Sequence, residues 1–253
     1  MGLAILTILL LIHVFFWIAW KQDKFSVMDI AWGLGPVLVA LVSYLQNYPS
    51  GPKAVLLVMV ALWGLRLAGH IYVRSKGHGE DPRYMAYRVQ WGKDYLKEGY
   101  VKVFLAQGAA MFFVTLPVQL GMSSDLESFR LKQILGLVIF LVGFGLEAWA
   151  DAHLRAFKLD PQNKGKLCTS GPWTFVRFPN YLGEMLIWWG IYLYIFNFWT
   201  SWTILGPMTI SFSLLKVTGI PLIEKRYLER ADYREYAARV PRLLPFIGKK
   251  IKA

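Results

Sequence analysis

Residues Arg177-Phe-Pro-Asn-Tyr-Leu-Gly-Glu184 run directly into the apolar stretch Met185-Leu-Ile-Trp-Trp-Gly190. A cation, a helix-start proline, an amide and a carboxylate therefore stand at the mouth of a segment that reads as a membrane helix. Ionisable groups at such a place are costly and mark function by default. Pro179 suits the first helical turn, where its missing N–H leaves no bond unmade. The free N–H groups of that turn point at any nearby anion. Asn180, Glu184 and Trp188 then share one face at i, i+4 and i+8. The same face reads either as a ligand wall or as helix capping with an interfacial aromatic.

The preceding apolar segment ends in a similar way. Glu147, Asp151 and Arg155 follow at four-residue spacing, with Lys158 beyond them. In hydrocarbon such a stripe must face protein or water, so it is either self-satisfied or lines a pocket. The connecting loop 158–176 carries Lys158, Lys164 and Lys166 with Asn163, Thr169 and Ser170. These groups suit phosphate clamping, or a solvated loop whose charge only sets topology.

Outward from these two segments, apolar runs fill the chain. Of its 253 residues 56% are hydrophobic, above the roughly 45–50% of soluble domains, and mean hydropathy is +0.40. Seven runs read as transmembrane helices, at 2–20, 27–46, 54–73, 101–121, 132–156, 180–198 and 202–220. The first lacks a basic leader and exceeds a signal-peptide core in length, so it is expected to be retained. The fold class expected is all-α, a polytopic bundle of seven transmembrane helices with short interfacial helices on the cytosolic side. Segment 74–100, with Tyr84, Tyr87, Trp91 and Tyr95 among charges, reads as one such interfacial element. The chain reads as one membrane domain, with 1–122 the substrate and acid–base half and 123–253 the cofactor half.

The net charge of +12 could signal nucleic acid, but its placement argues for topology. Segments 21–26, 74–100, 157–179 and 221–253 hold 2, 6, 4 and 9 Lys+Arg. The alternate loops 47–53 and 122–131 hold only Lys53 and Arg130, and 199–201 holds none. This is the positive-inside pattern. It predicts an N-terminus outside and a cytosolic C-terminus, in a bacterial inner membrane or endoplasmic reticulum. Part of the charge can also attract anionic headgroups. The lone Cys168 excludes an internal disulfide, and His13, His70, His78 and His153 lack metal-site spacing. No GxGxxG or Walker A motif is present.

In the third run Trp63, Arg66, His70 and Arg74 share a face. Arg66 and Arg74 either snorkel to the headgroups or line a polar cavity with His70 and Tyr72. Asp29 lies about one turn inside the second run, in Phe25-Ser-Val-Met-Asp-Ile-Ala-Trp-Gly. It reads as a dipole-satisfying carboxylate, or as a proton donor or the orienter of one. Gly79-Glu-Asp-Pro-Arg-Tyr84 reads as a loop with local ion pairs.

These residues carry a resemblance. Leu159-Asp-Pro-Gln-Asn-Lys-Gly-Lys-Leu167, Gly171-Pro-Trp173 and Arg177–Glu184 resemble a branch of the steroid 5-alpha-reductase superfamily. Asp29-Ile-Ala-Trp-Gly33, Trp63-Gly-Leu-Arg-Leu67, Gly79-Glu-Asp81 with Arg83-Tyr84, and Pro221-Leu-Ile-Glu-Lys-Arg226 fit it too. The resemblance implies an NADP-dependent oxidoreductase of lipid metabolism in the membrane. It would bind NADPH from the cytosol and reduce an activated C=C bond, such as that of a 3-oxo-Δ4-steroid. It places Asp151, Arg155, Lys158, Asn180, Glu184, Trp188 and Tyr227 among the cofactor contacts. Glu147, Asn163, Lys166, Arg66 and Arg74 join that set by position. Asp29, Tyr72 and His70 are taken as the catalytic set by type and depth, and no metal is expected. The partners expected are an apolar enone and membrane lipids, without nucleic acid, and the chain is expected as a monomer. Phe178 stands where the common motif has His. Arg-His-Pro-x-Tyr also marks S-adenosylmethionine-dependent isoprenylcysteine and phospholipid methyltransferases, so that alternative stays open. A non-enzymatic membrane scaffold is the third reading.

Overall fold

The computed structural model describes residues 1–244 and is helical, without a strand among the described residues. The basic tail 245–253, counted above on the inner side, lies outside the described residues. The helices are α1 (Gly2–Gln22), α2 (Met28–Leu45), α3 (Gly51–Ser75), α4 (Pro82–Trp91), α5 (Tyr95–Gly99), α6 (Ala106–Val114) and α7 (Leu116–Ser123). They continue with α8 (Leu131–Leu159), α9 (Pro179–Ile195), α10 (Leu205–Phe212), α11 (Ile220–Tyr227) and α12 (Ala231–Arg239). Five helical stretches are long and apolar enough to cross a membrane, and a bent pair, 82–114 with 116–123, makes up to six. The chain thus has the helices of an integral membrane protein.

The apolar runs map onto this order with instructive differences. The run at 101–121 is not one straight rod. It opens as a π-helical turn over Tyr100–Leu105 and bends by 44° at Thr115. Pro117 explains the bend, because it has no N–H to return to residue 113, and Thr115 Oγ1 adds a back-bond to Met111 O of the kind that bends helices. The run at 180–198 forms only 17 helical residues and stops at Ile195. There Thr200 Oγ1 donates to Ile195 O and turns the chain. The last run extends past 220, so Ser201–Tyr227 forms one long apolar stretch.

The chain divides into two compact units, residues 1–134 with 194–206, and residues 135–193 with 207 onward. In the first unit α2 lies against α3 through bare glycine. A Cβ on Gly33 would sit 2.3 Å from Gly64 O, and one on Gly64 2.3 Å from Gly33 O. Without a hydrophobic force between helices in lipid, such small-residue contact lets backbones approach and gain dispersion. Ser50 starts α3 by accepting Lys53 N–H on its hydroxyl at 3.3 Å. The turn before α2 is capped from a distance. The Glu80 carboxylate accepts the N–H groups of Phe25 and Ser26.

In the second unit α8 and α9 use the same device. A Cβ on Gly143 would meet Gly183 O at 2.7 Å, and one on Gly183 would meet Glu147 N and Gly143 O at 2.7 Å. Further along, Gly190 lies against Phe140 N and Gly136 O. Residues 136, 140, 143 and 147 form the i, i+4, i+7, i+11 seam of α8.

Candidate functional site

In the first unit the polar groups of the N-terminal half converge on Asp29, in the first turn of α2. Asp81 caps α4 by accepting Arg83 N–H at 2.9 Å, and Pro82 takes the first helical position. This presents Arg83 and Tyr84 side by side. Arg83 Nη2 donates to Asp29 Oδ2 at 2.7 Å and Tyr84 OH donates to Asp29 Oδ1 at 2.8 Å. Arg83 Nε also donates to Asp81 Oδ1 at 2.9 Å. Gln107 Nε2 reaches the Tyr84 oxygen at 3.4 Å, and Gln107 Oε1 accepts from Trp32 Nε1 at 2.6 Å. The result is a continuous chain from Trp32 through Gln107, Tyr84, Asp29 and Arg83 to Asp81. Burial pushes the Asp81 carboxyl up, but its bonds from Arg83 outweigh this and hold it below its ordinary value.

Asp29 is thus drawn into a shared network, with a tyrosine beside it other than Tyr72. Tyr72 is 54% exposed on α3, and both Asp29 oxygens are engaged by Arg83 and Tyr84. His70 and Arg66 are half-buried on α3, and Arg74 is exposed at its end, where its charge also favours ionised Asp81. Gln107 escaped the sequence reading. Its signal was a lone amide inside an apolar run, where an unmatched polar group is costly.

In the second unit the glycine seam sets buried Glu147 against the backbone of Gly183. That contact brings the α8 stripe to the first turns of α9, which carry Asn180 and Glu184, both half-buried. Trp188 is fully buried one turn further. Asp151 is half-buried, while Arg155, Lys158 and Lys166 are exposed. Tyr227 is half-buried, its ring 5.7 Å from that of Tyr233.

Two residues of this region serve the fold. Asn163 Nδ2 donates to Phe157 O and to Asp160 Oδ2, each at 3.2 Å, and so closes the α8 end. Arg177 turns into protein. Its Nη1 donates to Glu224 Oε1 at 2.9 Å, and the two side chains are 1% and 8% exposed. Arg242 also donates to Glu224, and Arg177 N–H donates to Pro241 O at 2.9 Å. The conspicuous cation of the 177–184 stretch is therefore a clamp on the chain after α12. Phe178 is buried and stacks on Tyr181 at 5.9 Å, an apolar plug at the helix mouth. His153, which the sequence did not single out as a site residue, bonds Ser170 Oγ at 2.9 Å beside Trp173. Gly171, with φ of 61°, allows that approach, since a Cβ there would lie 2.7 Å from the imidazole.

A family model described as "Protein of unknown function (DUF1295)" matches residues 15–240. The chain belongs to this family. The family is part of the steroid 5-alpha-reductase-like group. No curated protein and no solved structure matches the chain. The match takes in both polar clusters, Asp29 to Gln107 and Glu147 to Glu184.

Proposed function

We propose that this chain is a membrane oxidoreductase that uses NADPH to reduce an activated C=C bond in an apolar enone, with a 3-oxo-Δ4-steroid as first candidate. The observation that supports it most is the Gly143–Gly183 contact, which sets Glu147 beside the helix start bearing Asn180 and Glu184. The donor set suits the cofactor. Carboxylates of Glu147, Asp151 and Glu184 can accept from ribose hydroxyls and a carboxamide, and Asn180 can both give and accept. The exposed cations Arg155, Lys158 and Lys166 suit phosphates by charge-assisted bonding. Lys158 offers a point charge where an Arg would offer a fork.

NADPH bound there would supply a hydride to the enone β-carbon. The chain's own acid–base work is assigned to the Asp29 network. Negative charge develops on the substrate oxygen as hydride arrives, and a preorganised donor there lowers the barrier. Tyr84 is held by Asp29 Oδ1 and Gln107 where Tyr72 is exposed, and its hydroxyl would turn its one proton from Asp29 to the substrate oxygen as charge develops there. The reading keeps residues 1–122 as the substrate half and 123–253 as the cofactor half.

The proposed membrane arrangement has seven spans. It counts the bent pair as one and adds α9, whose 17 residues rise about 26 Å, near the lower limit for a ~30 Å hydrocarbon core. With the N-terminus outside, segments 74–100 and 157–179 are cytosolic.

The decisive experiment identifies the ligand that purifies with the protein and measures NADPH oxidation with a 3-oxo-Δ4-steroid. Bound NADP(H), with turnover lost in Asp151→Ala and Asn180→Ala, is the expected result. Undiminished turnover in both variants would sink the site assignment. Bound S-adenosylhomocysteine would move the protein to the methyltransferase class.

A further inference from the structure

Between Met1 and Lys21 the only ionisable side chain is His13. It is exposed at the surface of α1. Ile5, Leu9 and His13 lie at i, i+4 and i+8, one stripe of α1, and all three side chains are exposed. His13 is nine residues from the α1 end at Gln22, about 13 Å along the axis at the helical rise. An imidazole at that depth on an outward face is costly unless something engages it.

Two neighbours engage it. His13 Nδ1 lies 2.6 Å from Leu9 O, and a carbonyl only accepts, so Nδ1 carries the proton. In the neutral ring Nε2 is then an acceptor, and Tyr100 OH sits 2.9 Å from it. Tyr100 therefore gives its proton to His13. Its oxygen keeps lone pairs that accept a further hydrogen bond and has no proton left to donate.

Beside this pair runs a groove of about 280 Å³ between α1 and α6. Ile5, Ile8, Leu9 and Ile12 form one wall, and Gly108 and Phe112 part of the other. Gly108 makes the floor: a Cβ there would already touch Ile12 and Ile8 at 3.3 to 3.4 Å. The groove is apolar along its length, and His13 follows directly on Ile12 at one end.

We propose that this groove binds a neutral lipid with a hydrocarbon body and one hydroxyl, of the long-chain alcohol, prenol or sterol kind. The body lies along Ile5–Ile12, and the hydroxyl donates to the Tyr100 oxygen. A plain hydrocarbon or an ether leaves that oxygen unmet, and a ketone brings no proton. Lys102, two residues from Tyr100, is already paired with Glu98, and the groove lining itself carries no charged side chain to hold an anionic headgroup. The site is independent of the reductase reading and uses none of its residues.

The test is photolabelling of the full-length protein in nanodiscs. The probe is a C12 primary alcohol with a diazirine in its chain, compared with its methyl ether, and label is mapped to peptides 2–20 and 103–115. The alcohol is expected to label both peptides. Label is expected to fall about threefold or more for the ether and for Tyr100→Phe, the share of one neutral hydrogen bond. Gly108→Leu, which fills the groove, is expected to abolish it. Equal labelling by alcohol and ether in the parent protein would overturn the proposal, as would undiminished alcohol labelling of Tyr100→Phe. Tyr100→Phe keeps the ring against Phe16, so its result reads the hydroxyl rather than the fold.

Discussion

Tyr84 and Tyr72 differ by what holds them. Tyr84 is buried and its hydroxyl is fixed between a carboxylate and an amide; Tyr72 is largely exposed. If the Asp29 network does the acid–base work, Tyr84→Phe lowers kcat on an enone about 100-fold, the lower end for general acid catalysis, with NADPH affinity unchanged. Tyr72→Phe retains turnover. Stopped-flow hydride transfer and cofactor binding separate the two, and the reverse pattern would return the donor role to Tyr72. Glu224 is the second residue-scale case. It neutralises Arg177, whose side chain is 1% exposed. Glu224→Gln strands that guanidinium and is expected to cost about 3 kcal/mol, as for one partner lost from a buried pair. Chemical denaturation in detergent reads it. Arg242 is half-exposed and can turn to solvent, so it does not share the penalty.

At the scale of the element, glycine decides which helices can touch. On α8, Gly143 and Gly145 are two residues apart and face different surroundings. Gly143 lies on the α9 backbone, while a Cβ on Gly145 meets nothing within 4 Å. Gly183→Ala places a methyl against backbone atoms of Glu147 and Gly143 and pushes the helices apart, at about 1–3 kcal/mol of overpacking. It also shifts Glu147 away from Asn180 and Glu184. Gly145→Ala is expected to be neutral or mildly stabilising by helix propensity. Thermal midpoints and cofactor retention of the pair check this. Equal midpoints would show that the seam is not tight. The seam was only half legible in the sequence. The i, i+4 carboxylates on 147–155 and the face 180–188 could be read from spacing, but that Gly183 would fit onto Glu147 could not. Glycines carry no side-chain pattern, and their role appears only when two backbones meet.

At the scale of the whole molecule, charge and apolar length act together. The Lys+Arg count alternates from loop to loop, which predicts orientation by the positive-inside rule. In a Cys168→Ser background, Glu127→Cys is expected to react with an impermeant maleimide from outside intact cells. Lys166→Cys reacts only after permeabilisation. The opposite pattern would invert the proposed topology. Both positions are exposed in the structure, so labelling reports side of membrane rather than burial.

The amino-acid sequence by itself determined that the chain is helical, with runs long and apolar enough to cross a membrane, because such runs satisfy their backbone N–H and C=O groups internally in lipid only as helices. It also showed where polar residues interrupt those runs, and which family their pattern resembles. The tertiary structure decided the partners. Only packing could set Tyr84 on Asp29 across 55 residues of chain, turn Arg177 inward onto Glu224, or leave His13 facing out with Tyr100. Those pairings depend on contacts between helices distant in sequence. Residue spacing fixes which side chains share a face of one helix, but carries no information on which other helix that face will meet.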